Sequence, residues 1–207
     1  MARIARRQCL EMFRSGRLGT RASAAAAGQA TLPSPRDAIR ARYFPNVVLR
    51  THENRPVRFY DDLIRDKVVI LNFMYARCDG VCPSITANLV KVQTLLGNRI
   101  GRSIFMYSIT LKPEQDEPGA LAEYAAMHNV GPGWLFLTGD AADVELLRRK
   151  LGFVNPDPAL DADSAEHIGN IRYGDERRQL WGACPALATA SWIVESLGWL
   201  DGGSKGL

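Results

Sequence analysis

Val68-Val69-Ile70-Leu71-Asn72-Phe73-Met74, followed after Tyr75-Ala76-Arg77 by Cys78-Asp79-Gly80-Val81-Cys82-Pro83, is the stretch on which the fold turns. With Lys67 before it, the first run is nearly all apolar, which predicts a strand over 67–74 buried on both faces. From Pro83 the period changes. Ile85, Leu89, Val92 and Leu96 recur at helical spacing, and Gly97 supplies a stop. Pro83 suits the first helical turn, because the N–H it lacks would have no partner there. A buried strand therefore hands two cysteines to a helix N-terminus, where backbone N–H groups and the helix dipole favour thiolate.

Working outward, 47–50 and 57–60 flank a polar turn containing His52, which predicts an N-terminal β-hairpin with Phe59 and Tyr60 in its second strand. Segments 103–109 and 134–138 are two further buried strands. Segments 118–128 and 140–151 are helices. The second is punctuated by Asp140 as N-cap and Gly152 as stop. An acidic, Pro-containing stretch over 155–166 reads as a solvated loop. Segments 168–173 and 179–181 then form a second hairpin, and a last helix spans about 188–197. Strands alternating with helices imply an α/β protein with a mainly parallel central sheet. The whole order is the plan of a thioredoxin-like fold with an N-terminal β-hairpin and an additional C-terminal hairpin and helix.

The 207 residues carry a net charge of +4, but the charge is uneven. The first 42 residues hold nine Arg and two acidic residues, whereas the other 165 hold 17 Lys/Arg and 20 Asp/Glu. The basicity belongs to the tail, and the remainder has no bulk attraction for phosphate, so no nucleic-acid partner is expected. Residues 1–42 are Arg-rich, Ala/Ser-rich and acid-poor, the composition of a targeting segment or a disordered basic tail. No stretch approaches the ~20 apolar residues of a transmembrane helix. The expected organisation is a basic segment over 1–42, one domain over 43–200 and a flexible tail over 201–207.

Two thiols four residues apart support two chemistries. A disulfide between them is sterically open, so Cys78 and Cys82 form a candidate catalytic pair for thiol–disulfide exchange. A structural disulfide in a binding module is a further reading, although so short a loop constrains little chain entropy. As a metal site, two thiolates fall short of the four ligands zinc prefers, whereas thiolate softness and low coordination suit Cu(I), and an added imidazole admits Cu(II). The chain has three histidines. His52 lies in a predicted hairpin turn. His128 closes a helix, where a cation suits the dipole. His167 opens the C-terminal hairpin, which can bring it to the C-terminal end of the central strand, where open α/β folds bind ligands. Cys184, in Gly182-Ala183-Cys184-Pro185, reads as a packed small residue, and Cys9 lies in the basic tail. Asp157, Asp161, Asp163 and Glu166 lack the glycine and ligand spacing of a calcium loop.

The sequence from Phe73 through Pro83, followed far downstream by His167, resembles the Sco/SenC family of copper-binding assembly factors for cytochrome oxidase. The resemblance covers roughly residues 43–199. It includes Phe59-Tyr60-Asp61-Asp62-Leu63, Gly131-Pro132-Gly133-Trp134 and the tract from His167 to Gly174. It implies a thioredoxin-like fold and one copper, Cu(I) or Cu(II), held by Cys78, Cys82 and His167. It further implies a metallochaperone that delivers copper to the copper centre of a cytochrome c oxidase or keeps that centre's thiols reduced. Its partners would be the copper-accepting oxidase subunit, thiol–disulfide exchange partners and a membrane surface, and its location would be outside the cytoplasm: the periplasm, or the mitochondrial intermembrane space in a eukaryote. The chain departs from the family pattern at Ala76, where Thr is usual, and at Lys112, which replaces a carboxylate in a segment where Asp116 and the prolines are kept.

Overall fold

The computed structural model describes residues 34–78, 80–162 and 169–201. Seven strands form one sheet: β1 (Val48–Thr51), β2 (Pro56–Arg58), β3 (Val68–Met74), β4 (Ile104–Thr110), β5 (Trp134–Gly139), β6 (Asn170–Asp175) and β7 (Leu180–Pro185). They lie in the order β2-β1-β5-β4-β3-β6-β7. The centre, β5-β4-β3, is parallel. Both flanks are antiparallel: β1 runs against β5, and β6 runs against β3. The fold is thioredoxin-like α/β, with the N-terminal hairpin closing one edge and the C-terminal hairpin the other.

The long helices alternate with the parallel strands. α2 (Cys82–Leu96) follows β3, α3 (Pro118–Met127) follows β4, and α4 (Ala141–Lys150) follows β5. α6 (Ala190–Gly198), capped by the Thr189 hydroxyl, packs on α2. Side chains of β3 divide between two cores, as the period of a strand requires. Ile70 and Met74 join α2, α3 and α6 through Ile85, Leu89, Leu121 and Ile193. Val69, Leu71 and Phe73 join the other face with Leu49, Phe59, Ile109, Leu137 and Leu147. Six of the seven β3 side chains are buried, which accounts for the unbroken apolar run. Where β4 and β5 begin, two backbones meet: Gly133 has φ +84°, and a Cβ there would lie 2.5 Å from Gly101 N. Only glycine fits both demands.

Three segments differ from the sequence-based expectation. The basic stretch assigned to 1–42 contains α1 (Pro35–Tyr43), so helical structure starts upstream of the expected boundary at Tyr43. Ser34 starts it: its hydroxyl accepts from Asp37 N, and Pro35 occupies the first turn. Phe59 and Tyr60 are not strand residues. They open a π-helical turn over Phe59–Ile64, because Asn46 Oδ1 accepts from both Tyr60 N and Asp61 N at 3.1 Å and turns the chain out of the sheet. The acidic loop is partly built. Asp157 caps the short α5 (Pro158–Asp161). Asp161 accepts from Asn155 N at 2.7 Å and from the buried Arg148 guanidinium at 2.8 and 2.9 Å. Asp163 and Glu166 lie outside the described residues.

Candidate metal centre

β3 ends at Met74, and the chain leaves the C-terminal edge of the sheet through Tyr75-Ala76-Arg77 into the cysteine loop. Two bonds hold the exit. Leu111 N donates to Met74 O at 2.8 Å, and Ala76 N donates to Asp116 Oδ2 at 2.9 Å. Asp116 is buried, and the same oxygen accepts from the Thr110 hydroxyl at 2.5 Å. Thr110 Oγ1 in turn accepts from Lys112 N. The segment after β4 is thus tied to the segment after β3, two residues before Cys78. Lys112 Nζ sits 4.4 Å from the centre of the Tyr75 ring, a cation–π contact that puts a positive charge beside the loop.

Cys82 is the first residue of α2 and Pro83 the second, as the sequence reading required. Cys82 is fully buried and Cys78 nearly so, at 8% exposure. Neither is bridged. Their environments make the two sulfurs unequal. Burial pushes the Cys78 thiol up, but hydrogen bonds from the Cys82 thiol, from Tyr75 and from the backbone N–H groups of Cys82 and Gly80 outweigh it, so its pKa falls below the ordinary value. Cys82 moves the other way, pushed up to about 12 by burial first and then by giving its proton to Cys78. The pair presents one thiol made more acidic by its neighbours and one that holds its proton more tightly.

The third buried thiol, Cys184, pairs with Ile171 across β6 and β7 and is pushed up to about 11 by burial. It behaves as the packed small residue expected from its sequence. His52 and His128 are engaged elsewhere. His52 Nδ1 accepts from Phe136 N at 3.1 Å where the β1 hairpin meets β5. His128 caps the C-terminus of α3 with its ring 4.4 Å from that of Tyr124. His167 lies outside the described residues, as does Asp79. Among the described residues no group of three or more His, Cys, Asp or Glu side chains gathers to hold a metal, and no helix is long and apolar enough to cross a membrane. The contribution of Asp116 to the site escapes sequence reasoning on spacing alone, since it acts across forty positions; its only local signal is a carboxylate in a Pro-flanked turn.

These features define a thioredoxin-like protein with a Cys-x-x-x-Cys pair at the N-terminus of its first core helix. The sequence profile of the SCO1/SenC family matches residues 48–199, and the chain belongs to that family. A Bacillus subtilis SCO1 protein homolog is 31% identical over 78 residues, covering 37% of this chain and 39% of that protein. Sco1 of Schizosaccharomyces pombe is 24% identical over 115 residues, covering 53% of this chain and 43% of that protein. The chain thus spans about two fifths of the length of these curated relatives. Among solved structures, copper-bound yeast Sco1 superposes with a TM-score of 0.60 at 20% identity, over 76% of this chain and 91% of that one. BsSco, described as a member of the Sco family of cytochrome c oxidase assembly proteins with a disulfide switch, gives 0.60 at 18% identity, over 76% and 92%. A SCO1/SenC family lipoprotein from Bacillus anthracis gives 0.61 at 18% identity, over 75% and 92%. At these identities the structural likeness speaks for the fold.

Proposed function

We propose that the protein is a copper metallochaperone that binds Cu(I) or Cu(II) through Cys78, Cys82 and His167. It supplies copper to, or keeps reduced the thiols of, the copper centre of a cytochrome c oxidase outside the cytoplasm. The observation that carries the reading is the pair of unbridged, buried thiols at the start of α2. Soft sulfur in a water-poor site at a helix N-terminus favours a soft cation of low coordination number. Support for His167 comes from the register of β6. Ile171 pairs with Asn72, so β6 begins at the end of β3 that feeds the cysteine loop. Copper bound by relatives such as yeast Sco1 agrees with this ligand chemistry. The acceptor is the copper-receiving subunit of the oxidase. Titration of the reduced full chain, followed by absorbance in the thiolate-to-Cu(II) region, should reach about one copper per chain. His167→Ala should weaken cupric binding sharply, and Cys78→Ser with Cys82→Ser should remove it. Unchanged copper stoichiometry in the double variant would end this reading.

The opposed acidities of the two thiols favour one second reading, a thiol–disulfide oxidoreductase. In it the Cys78 thiolate attacks a substrate disulfide and releases one substrate thiol, and Cys82 then attacks Cys78 Sγ of the mixed disulfide, which releases the second substrate thiol and leaves the Cys78/Cys82 disulfide closed. Fast copper-free exchange, with a reduction potential near that of a biological dithiol pool, distinguishes it. The roles are compatible, because the reduced pair binds copper and the disulfide does not.

A further inference from the structure

On the face of the sheet turned away from the cysteines, α1 roofs a cavity of about 310 Å³. Leu71, Leu151 and Trp181 form its walls, and Ile39 and Tyr43 of α1 reach over it. The Trp181 ring lies across Gly174, where any Cβ would collide with it, so the wall depends on that glycine. Two cationic side chains, Lys150 and Arg172, complete the lining, and no acidic side chain joins them. Neither has a carboxylate partner among the described residues: Arg172 Nη2 donates to Gly152 O at 2.7 Å, and its guanidinium lies over the Phe153 ring.

A second observation falls at the same place. Four buried side-chain polar atoms lack a hydrogen-bond partner among the described residues: Arg40 Nε, Arg172 Nε, Gln179 Oε1 and Trp181 Nε1. Three of the four belong to residues lining this cavity, and Arg40 belongs to the helix that roofs it. Folded proteins leave few such groups, and three of these belong to side chains flanking one apolar space. The volume lies at the small end of ligand sites, which suits one chain or ring and not a two-chain lipid.

We propose that this cavity binds a small apolar carboxylate, with its hydrocarbon body between Leu71, Leu151 and Trp181 and its carboxylate at Lys150 and Arg172. A planar guanidinium matches a carboxylate in geometry, and apolar walls reduce the screening of the pair. An uncharged ligand would leave both cations without a counter-ion, and an amine would add a third positive charge. The site is independent of the dithiol, since the sheet separates the two faces.

Isothermal titration of the reduced, copper-free full chain with decanoate, 1-decanol and decylamine tests this. Decanoate should give saturable binding with a stoichiometry near one, at least tenfold tighter than 1-decanol, and decylamine should give no saturable heat. Arg172→Met should weaken decanoate at least tenfold. Lys150→Met, at an exposed position that leaves the fold intact, should weaken it severalfold without changing 1-decanol binding. Absence of saturation by decanoate overturns the proposal. So does equal affinity for the alcohol, or indifference of decanoate binding to Lys150→Met.

Discussion

Cys78 and Cys82 are the same residue type within one turn of chain, yet the hydrogen bonds around them run one way: Cys82 donates and Cys78 accepts. A donor aimed at sulfur favours its charged form, so the Cys78 thiolate persists to lower pH than an ordinary cysteine, whose pKa is about 8.5. Alkylation by iodoacetamide should therefore modify Cys78 first, with a rate that rises through a midpoint below that of an ordinary cysteine thiol and then levels. Cys82→Ala removes a donor and should move that midpoint up. Mass spectrometry showing Cys82 modified first, or an unmoved midpoint, would contradict the assignment. Asp116 offers a second residue-level test. Asp116→Ala leaves Ala76 N and the Thr110 hydroxyl unpaired in the interior, which should cost about 1–3 kcal/mol in urea unfolding. Asp116→Asn keeps an acceptor oxygen and should cost less. At this scale the sequence disclosed the two sulfurs and the carboxylate-replacing Lys112. It did not disclose the direction of proton sharing, which depends on where Tyr75 and the α2 backbone point.

Helix α1 buries no side chain completely and is tied to the rest of the protein by the bonds of Arg36, by Ile39 packed on the core and by Arg40 over the Tyr60 ring. Glu176, 1% exposed in the β6–β7 turn, accepts from the Arg36 guanidinium, from the Tyr60 hydroxyl at 2.8 Å and from Asp66 N at 2.9 Å. Burial alone would raise the pKa of Glu176, but these donors, Arg36 foremost, hold it below the usual carboxylate range. A carboxylate depressed in the folded state adds stability that is fully present above its unfolded pKa of about 4.3 and is lost as pH falls through its lower folded value. Unfolding free energy should thus decline below about pH 4.3, and Glu176→Gln should be less stable at neutral pH and lose less on acidification. Equal slopes for the two proteins would separate Glu176 from the acid response. The same elements show what pattern reading reaches. β3 and α2 announce themselves through unbroken apolar character and helical period. α1 did not, because the Arg-rich, acid-poor composition of 1–42 reads as a tail, whereas the Ser34 cap and Pro35 start a helix within it. The π-helical turn at Phe59–Ile64 did not either, because it depends on Asn46, thirteen residues before it.

The sheet joins these parts, and its order carries the last expectation. The alternation of strands and helices predicted a parallel centre, and the three parallel strands bear that out. That β1 would lie against β5 was not legible, because a hairpin's own pairing says nothing of which third strand receives it. The C-terminal hairpin is the more consequential addition. β6 pairs with β3 along five residues and with β7 along six, so it is an interior strand, whereas β7 and the three-residue β2 are edges. β6 also fixes where the chain re-enters the sheet beside the strand that feeds Cys78, so its rigidity governs how firmly anything before Asn170 can be held near the thiols. Amide hydrogen exchange reads this directly, since protection follows burial and pairing on both sides. Amides of β3, β4 and β6 should be the slowest to exchange and should exchange together, with β2 fastest and the outward amides of β7 intermediate. If β6 exchanged at the rate of β7, the hairpin would be a loosely attached flap, and a ligand delivered from its leading end would lack a fixed position. If it exchanges with β3, the dithiol and the entry to β6 belong to one cooperative unit, and a substitution that weakens the β3 pairing, such as Ile171→Ala, should speed exchange in both strands and weaken copper uptake at the proposed site.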